Sequence, residues 1–443
     1  MSIFIWLLLI VALLVFATVR LHLHPFLGLI LSAILIGFLA SLPVETLLEA
    51  LTGGFGSTLG SIGIVIAAGS VIGEFLDRSG GAKVLANKIL DKVGEKNAPL
   101  SMSLTGYIVS IPVFCDSGFI VLSALNKAIS KRSGISLAVL AVALASGLYA
   151  THVFVPPTPG PLAAAATLGA DVGRVLIFGL LVSIPAMVAA LLYATIFCKN
   201  YAIDFEMEEL ESAKKQLHLP SFSSSILPIL MPILLIALKS VAELPGRPFG
   251  EGLIFDILVF LGNPIVALFA GVGLSFLMVR GLGFEGTDRA TWLEEGLKKA
   301  GTIILITGAG GAFGAVLRET DLGTFAESFT QIGGLGMLIP FLIAAFLKTA
   351  QGSSTVAIIT AAAITAPLLE PLGLDSVTGK ALIVLAIGAG SLTVSHVNDS
   401  YFWVVAKFSE METSTALRTH TVATFIMGLT GFLSVQILAW LLL

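Results

Sequence analysis

Five ionisable side chains stand in stretches that are otherwise almost wholly apolar. Asp116 sits in IPVFCDSGFIVLSALNK (111–127), with proline and cysteine before it and glycine after it. Lys348 stands three residues before Gln351, and Asp399 lies in SHVNDSYFW (395–403). His152 and His396 occur in THVFV and SHVND. A carboxylate that leaves water can take up or release a proton, a lysine can attract a carboxylate, and histidine titrates near neutral pH. Around them lie hydroxyls and small residues: Ser117, Gly118, Thr151, Thr158, Ser353, Ser354, Thr355 and Asn398. Such a set fits the handling of protons and a small anion. It carries no cluster of metal-ligand type, and neither a metal nor a cofactor is expected.

The solvent around these residues decides what they can do. Of the 443 residues, 56% are hydrophobic and only 12% charged, about half the charge of a soluble domain. Apolar runs such as Ile3–Val19, Phe26–Leu42, Val175–Cys198 and Thr421–Leu443 are long enough to cross most or all of a hydrocarbon core of about 30 Å. The chain is therefore an all-α polytopic membrane protein. Its first segment has no basic stretch before it and is followed by Arg20, unlike a cleaved signal. Cys115 and Cys198 lie far apart, and no structural disulfide is expected. The longest basic cluster, Lys83 to Lys96, is interrupted by Asp91 and Glu95, so no nucleic-acid surface is expected.

Orientation follows from Lys and Arg in short loops. Arg78, Lys83, Lys88, Lys92 and Lys96 precede the Asp116 stretch, and Lys127, Lys131 and Arg132 close it. One ordinary span between them would put two basic loops on opposite sides. A re-entrant hairpin over 99–132, entering and leaving on the cytoplasmic side, keeps both together, with its tip at 115–118. The rest reads as spans at 3–20, 25–42 and 60–77 before the hairpin. A helix over 135–170 follows, broken at VPPTPGP (155–161), where Pro156, Pro157, Pro159 and Pro161 forbid regular helix. Span 6 covers 173–198, a polar linker 199–222, and spans 223–242, 254–279 and 301–317 come next. Glu74, Asp77 and Arg78 read as interfacial ion pairs.

Three stretches recur about 240 residues apart, in the same order. IAAGSVIGEFLDRSG (66–80) resembles TGAGGAFGAVLRETD (307–321). CDSGFIVLS (115–123) lies opposite QGSSTVAIIT (351–360), and SGLYATHVFV (146–155) opposite GSLTVSHVND (390–399), with His152 on His396. The reading is two inverted-topology repeats, 1–198 and 223–443. The second has a hairpin over 332–369 and a broken helix over 380–407. The arms Leu335–Leu347 and Val356–Leu369 rise only about 20 Å each, short of a crossing, though two full spans also fit the total length. Paired discontinuous helices in inverted repeats place a substrate site at the midplane, where irregular backbone faces a wet cavity.

IPVFCDSGFIVLSALNKA, IGEFLDRSGGA, THVFVPPTPGP, AQGSSTVA and SHVNDSYFW together resemble the gluconate permease family. The resemblance spans nearly the whole chain. It implies an elevator-type ion-transporter architecture and proton-coupled uptake of gluconate or a related small sugar acid. The setting implied is a bacterial inner membrane, and the loop charges read above place both termini on its periplasmic side. The family also has a D-serine branch, and Na⁺ in place of H⁺ is the alternative coupling ion. Elevator-like proteins are often dimers, which makes a homodimer the assembly expected by analogy.

Each candidate residue has a functional and a structural reading. Asp116 is either a proton and substrate group or the cap of the helix that follows. Asp399 is the rival proton carrier or likewise a cap, supported by Asn398 and Ser400. Lys348 attracts the substrate carboxylate or pairs with Asp116 or Asp399. His152 and His396 hold backbone in place or relay protons. Ser117, Gly118, Ser353, Ser354 and Thr355 offer hydroxyls and free N–H groups to an anion, or satisfy helix ends. Thr151, Thr158 and Asn398 complete the wall. GAGGAFG (308–314) lacks the Lys-Ser/Thr ending and preceding strand of a phosphate loop, so close helix packing explains it better. No G-x-S-x-G supports a serine hydrolase, and two plugged hairpins argue against a channel.

Overall fold

The computed structural model describes residues 3–94, 97–203, 219–243, 248–280, 282–320, 336–397 and 399–443, and among them there is no strand. Most of linker 199–222, with Lys214 and Lys215, and the start of the 332–369 hairpin lie outside the described residues, as does Asn398.

The first half runs α1 (Ile3–Arg20), α2 (Pro25–Leu39), α3 (Val44–Arg78), α4 (Gly81–Val93), α5 (Ala98–Val109), α6 (Cys115–Ser133), α7 (Leu137–Phe154), α8 (Pro159–Leu168) and α9 (Val172–Phe197). The second runs α10 (Phe222–Ala242), α11 (Leu253–Leu261), α12 (Pro264–Met278), α13 (Gly286–Arg318), α14 (Leu338–Gln351), α15 (Ser354–Thr365), α16 (Val377–Leu392), α17 (Ser400–Phe408) and α18 (Thr413–Leu442).

Among the described residues, five helical stretches are long and apolar enough to cross a bilayer, 137–168, 172–200, 222–242, 286–318 and 413–442, and two bent pairs, 44–60 with 63–78 and 253–261 with 264–278, would bring the number to seven. The first is buried throughout and forms the centre, with α16 beside it. α9, α10, α11 and α18 instead leave Leu192, Leu234, Phe260 and Ile437 uncovered, apolar side chains that suit a hydrocarbon surrounding. The chain is a multi-pass membrane protein.

Several apolar helices are shorter than a full crossing. α5 rises about 18 Å, and α14 and α15 about 21 and 18 Å, all short of a 30 Å core. The packing order in the two halves recurs. α5 lies on α7 as α14 lies on α16, and α7 lies on α9 as α16 lies on α18. Across the halves, α6 meets α17 and α15 meets α8, while α3 and α13 run antiparallel along each other.

α5 and α7 touch backbone to backbone because neither has a side chain at the crossing. A Cβ on Gly147 would lie 2.8 Å from Ser103 C and 2.9 Å from Tyr107 N. Gly147→Val is therefore expected to lower stability by roughly 1–3 kcal/mol or more, read as a fall in thermal unfolding temperature in detergent. An unchanged temperature would mean that α5 does not seat on α7 this closely.

Three span boundaries differ from the sequence reading. Span 254–279 is two helices, α11 and α12, bent by 66°. The break is local chemistry: Asn263 caps Ile265 N at 3.0 Å and Pro264 opens the next helix. α3 starts at Val44 rather than 60 and bends by 44° between Gly60 and Gly63, and of its early glycines Gly54 is the one that packs, against Gly311 of α13. α13 starts at Gly286 rather than 301, because its charged first turns sit outside the apolar stretch and pair locally, Lys298 with Glu294 at 3.0 Å.

Candidate functional site

Two helix tips and two helix breaks position the ionisable residues. At the first tip, Phe114 is the N-cap of α6 but gives no side-chain bond, and the helix begins at Cys115. Asp116 therefore lies in the first turn and is not the cap, which corrects the structural reading offered for it. Its Oδ1 is buried without a partner. Phe114 and Cys115 have taken the positions the sequence left to Asp116 and Ser117. Gly118 does not offer a free N–H either, since that group bonds to Phe114 O at 2.9 Å. Its missing side chain lets α6 seat on Leu148 of α7.

At the second tip, α14 ends at Gln351 and Gly352 turns the chain with φ of 84°, a region that suits glycine. Ser353 caps α15 by accepting from Val356 N at 3.3 Å. Lys348, at the end of α14, is completely buried. It pairs with Asp399 and donates to Gly352 O at 2.5 Å. Its ammonium also stands 5.8 Å from the Tyr149 ring centre.

Asp399 does two jobs at the second break. One carboxylate oxygen caps α17 at Tyr401 N, 3.0 Å away, while the other takes Lys348 and the Ser395 hydroxyl. Its cap reading and the ion-pair reading of Lys348 are thus both what the geometry gives. The break itself is held open under strain: Val394, a β-branched residue, has φ of 52°. Ser395 N donates to Thr424 Oγ1 at 3.1 Å, and Thr421 donates to Ser395 O at 2.5 Å, which pins that turn to α18.

Both tips and both breaks converge. Asp116 lies within electrostatic reach of Asp399 and Lys348. Phe119, one turn along α6, meets Tyr401 at 6.3 Å, and Tyr401 meets Tyr149 at 5.0 Å. The Tyr149 hydroxyl interacts with Ser354 of the second hairpin. Gln351, at that hairpin's tip, has both amide atoms buried and unpartnered. Two carboxylates thus face one lysine, and one proton or one cation brings the cluster to neutrality, which a low-dielectric site favours.

The two histidines do different work despite matching positions. His396 Nε2 lies 2.9 Å from Thr349 O and ties the second break to α14. His152 is buried between Phe114 and Tyr149, at 6.2 and 6.4 Å, and its Nδ1 has no partner. It lines a cavity of about 10 Å³, room for one water, together with Ser70 and Thr158. Thr151 and Thr158 do not present free hydroxyls: they donate to Gly147 O and Val155 O of their own chain segments. Ser117 and Thr355 are half-buried, and Asn398 lies outside the described residues. Glu74, as expected, forms ion pairs with Arg78 at 2.8 Å and Lys299 at 2.5 Å, joining α3 to α13.

Sequence reasoning missed Tyr149, Tyr401, Ser395 and His420. His420 sits in a π turn, Leu417–Thr421, that carries its Nε2 to 3.2 Å from the Ser395 hydroxyl. The signal available was scarcity: the chain has only 5 tyrosines and 6 histidines, and these lie in apolar runs.

Comparison with known proteins adds the family. Residues 1–441 match the family described as GntP family permease. An uncharacterized permease of Haemophilus influenzae is 39% identical over 416 residues, covering 90% of this chain and 84% of the relative. A gluconate permease of Pseudomonas aeruginosa is 33% identical over 430 residues, covering 96% and 94%. Among solved structures, the Alcanivorax borkumensis YdaH transporter superposes with a TM-score of 0.69 at 16% identity, over 95% of this chain and 99% of that one, a likeness of fold alone. With a full-length family match, and relatives that are permeases rather than enzymes, the chain belongs to the GntP family of permeases.

Proposed function

We propose that this permease carries gluconate or a closely related small sugar acid into the cell, together with a proton, across a bacterial inner membrane. The observation that carries the reading is the charge count where the tips meet: Asp116 and Asp399 against Lys348, with Asp116 Oδ1 and the Gln351 amide left unpartnered. Unpartnered buried polar atoms await a ligand or water. The proposed substrate contacts are Lys348, Gln351, Ser117, Ser353, Ser354 and Thr355. Asp116 carries the coupling proton, and Asp399 serves to hold Lys348.

The same reading takes 1–198 and 223–443 as inverted repeats joined by a cytoplasmic linker, with the termini periplasmic. The recurring packing of hairpin on broken helix, and the exchange of second arms between halves, support it. The hairpins and broken helices then form the moving core, and α3 and α13 belong to the frame. Moving the anion with a proton reduces the charge carried through the low-dielectric region.

Uptake of labelled gluconate and D-serine into proteoliposomes, with pH and Na⁺ gradients imposed separately, tests this. Accumulation of gluconate driven by the pH gradient alone is expected. Accumulation driven only by Na⁺ would replace the proton with sodium, and accumulation of D-serine alone would replace the substrate.

A further inference from the structure

A second polar cavity, of about 270 Å³, lies where the α3–α13 pair meets the C-terminal end of α8. Ser57, Thr58, Thr167 and Arg318 line it, with Gly54 and Gly311 where the two long helices touch. Arg318 donates from Nη2 to Thr167 O at 2.6 Å, closing the end of α8. That uses one of the guanidinium's five N–H groups. No carboxylate among the described residues pairs with Arg318. Beside it, Thr167 is only 6% exposed and its hydroxyl has no partner. A helix-end cap explains the bond to Thr167 O. It does not explain a guanidinium with no carboxylate partner among the described residues beside an unsatisfied buried hydroxyl on the same cavity.

The position is informative too. α3 and α13 run antiparallel, with Gly54 beside Gly311 and Gly296 beside Val71. The cavity therefore sits at the end of the pair away from Arg78 and the lysine-rich segment after it, which is the outer end in the orientation proposed above. The break at Thr158 and the small cavity there lie at the other end of α8, about 14 Å along the helix.

We propose that this cavity is an outer subsite for the transported acid. Arg318 holds the carboxylate through its two-pronged N–H face, and Ser57, Thr58 and Thr167 take hydroxyls of the sugar-acid chain. The proposal rests on the transport reading above and names where the acid first binds. An anionic lipid headgroup offers the same charge, so the test separates the two sources.

Arg318→Gln and Thr167→Val are compared with the unaltered protein for pH-driven gluconate uptake, in vesicles of phosphatidylcholine alone and with phosphatidylglycerol added. In both vesicle types Arg318→Gln is expected to raise KM about tenfold with kcat retained, and Thr167→Val to raise it by a smaller factor. Arg318→Lys, which keeps the charge but not the fork, is expected to fall between. Unchanged KM in all three variants overturns the subsite, as does a loss of kcat alone, which marks a packing role. An effect confined to vesicles with phosphatidylglycerol assigns the cavity to lipid and overturns it as well. Should the unaltered protein take up no acid, the transport reading fails and the subsite falls with it, an outcome distinct from normal uptake by every variant.

Discussion

Lys348→Leu is expected to abolish uptake and to cost the fold roughly 3–5 kcal/mol, because it leaves the Asp399 carboxylate buried without its cation. Lys348 is wholly enclosed and Asp399 nearly so, and the Ser395 hydroxyl and Tyr401 N–H do not balance a full charge. The double variant Lys348→Leu/Asp399→Asn is expected to recover most of that stability. Asparagine can still cap α17, and no unpaired charge remains. It is not expected to recover uptake. Thermal unfolding in detergent, beside uptake in vesicles, measures both. If the double variant were as unstable as the single one, the ion pair would not be the reason for the loss. If it transported normally, Lys348 and Asp399 would be structural alone.

Asp116→Asn is the second large effect, and its signature is the opposite: stability kept, coupling lost. Asp116 caps nothing, and its Oδ1 makes no bond, so the substitution removes no contact that the fold depends on. What it removes is the ability to gain and lose a proton. Under an inward gradient of one pH unit, a one-to-one symporter sustains about tenfold accumulation of a neutral substrate–proton pair. The variant is expected to fall to equilibration while still exchanging internal for external gluconate. Concentrative uptake by Asp116→Asn would remove Asp116 as the coupling group and transfer that role to another titratable group of the cluster.

These two predictions separate residues that the sequence treated alike. Asp116 and Asp399 both stand in apolar surroundings beside small polar residues, and each had a cap reading and a proton reading. The structure makes Asp399 the cap and the partner of Lys348, and leaves Asp116 with an unpartnered oxygen. The same holds for His152 and His396, matched in the repeat alignment, of which only His396 is tied by its ring nitrogen to another element's backbone.

The sequence by itself determined the solvent, the helical class and several of the places where helices break, though not the one at Asn263–Pro264. Those depend on local properties: apolar length against bilayer thickness, proline without an N–H at 156–161, and small polar residues at 115–118 and 351–355. It also carried the motifs that resemble the family. Only the tertiary structure decided which charge pairs with which. Lys348 and Asp399 are 51 residues apart, Ser395 and His420 are 25 apart, and the rings of Tyr149 and Tyr401 meet across more than half the chain. Partner choice at those separations is set by how helices seat on one another through contacts such as Gly147 on Ser103, which no local pattern records.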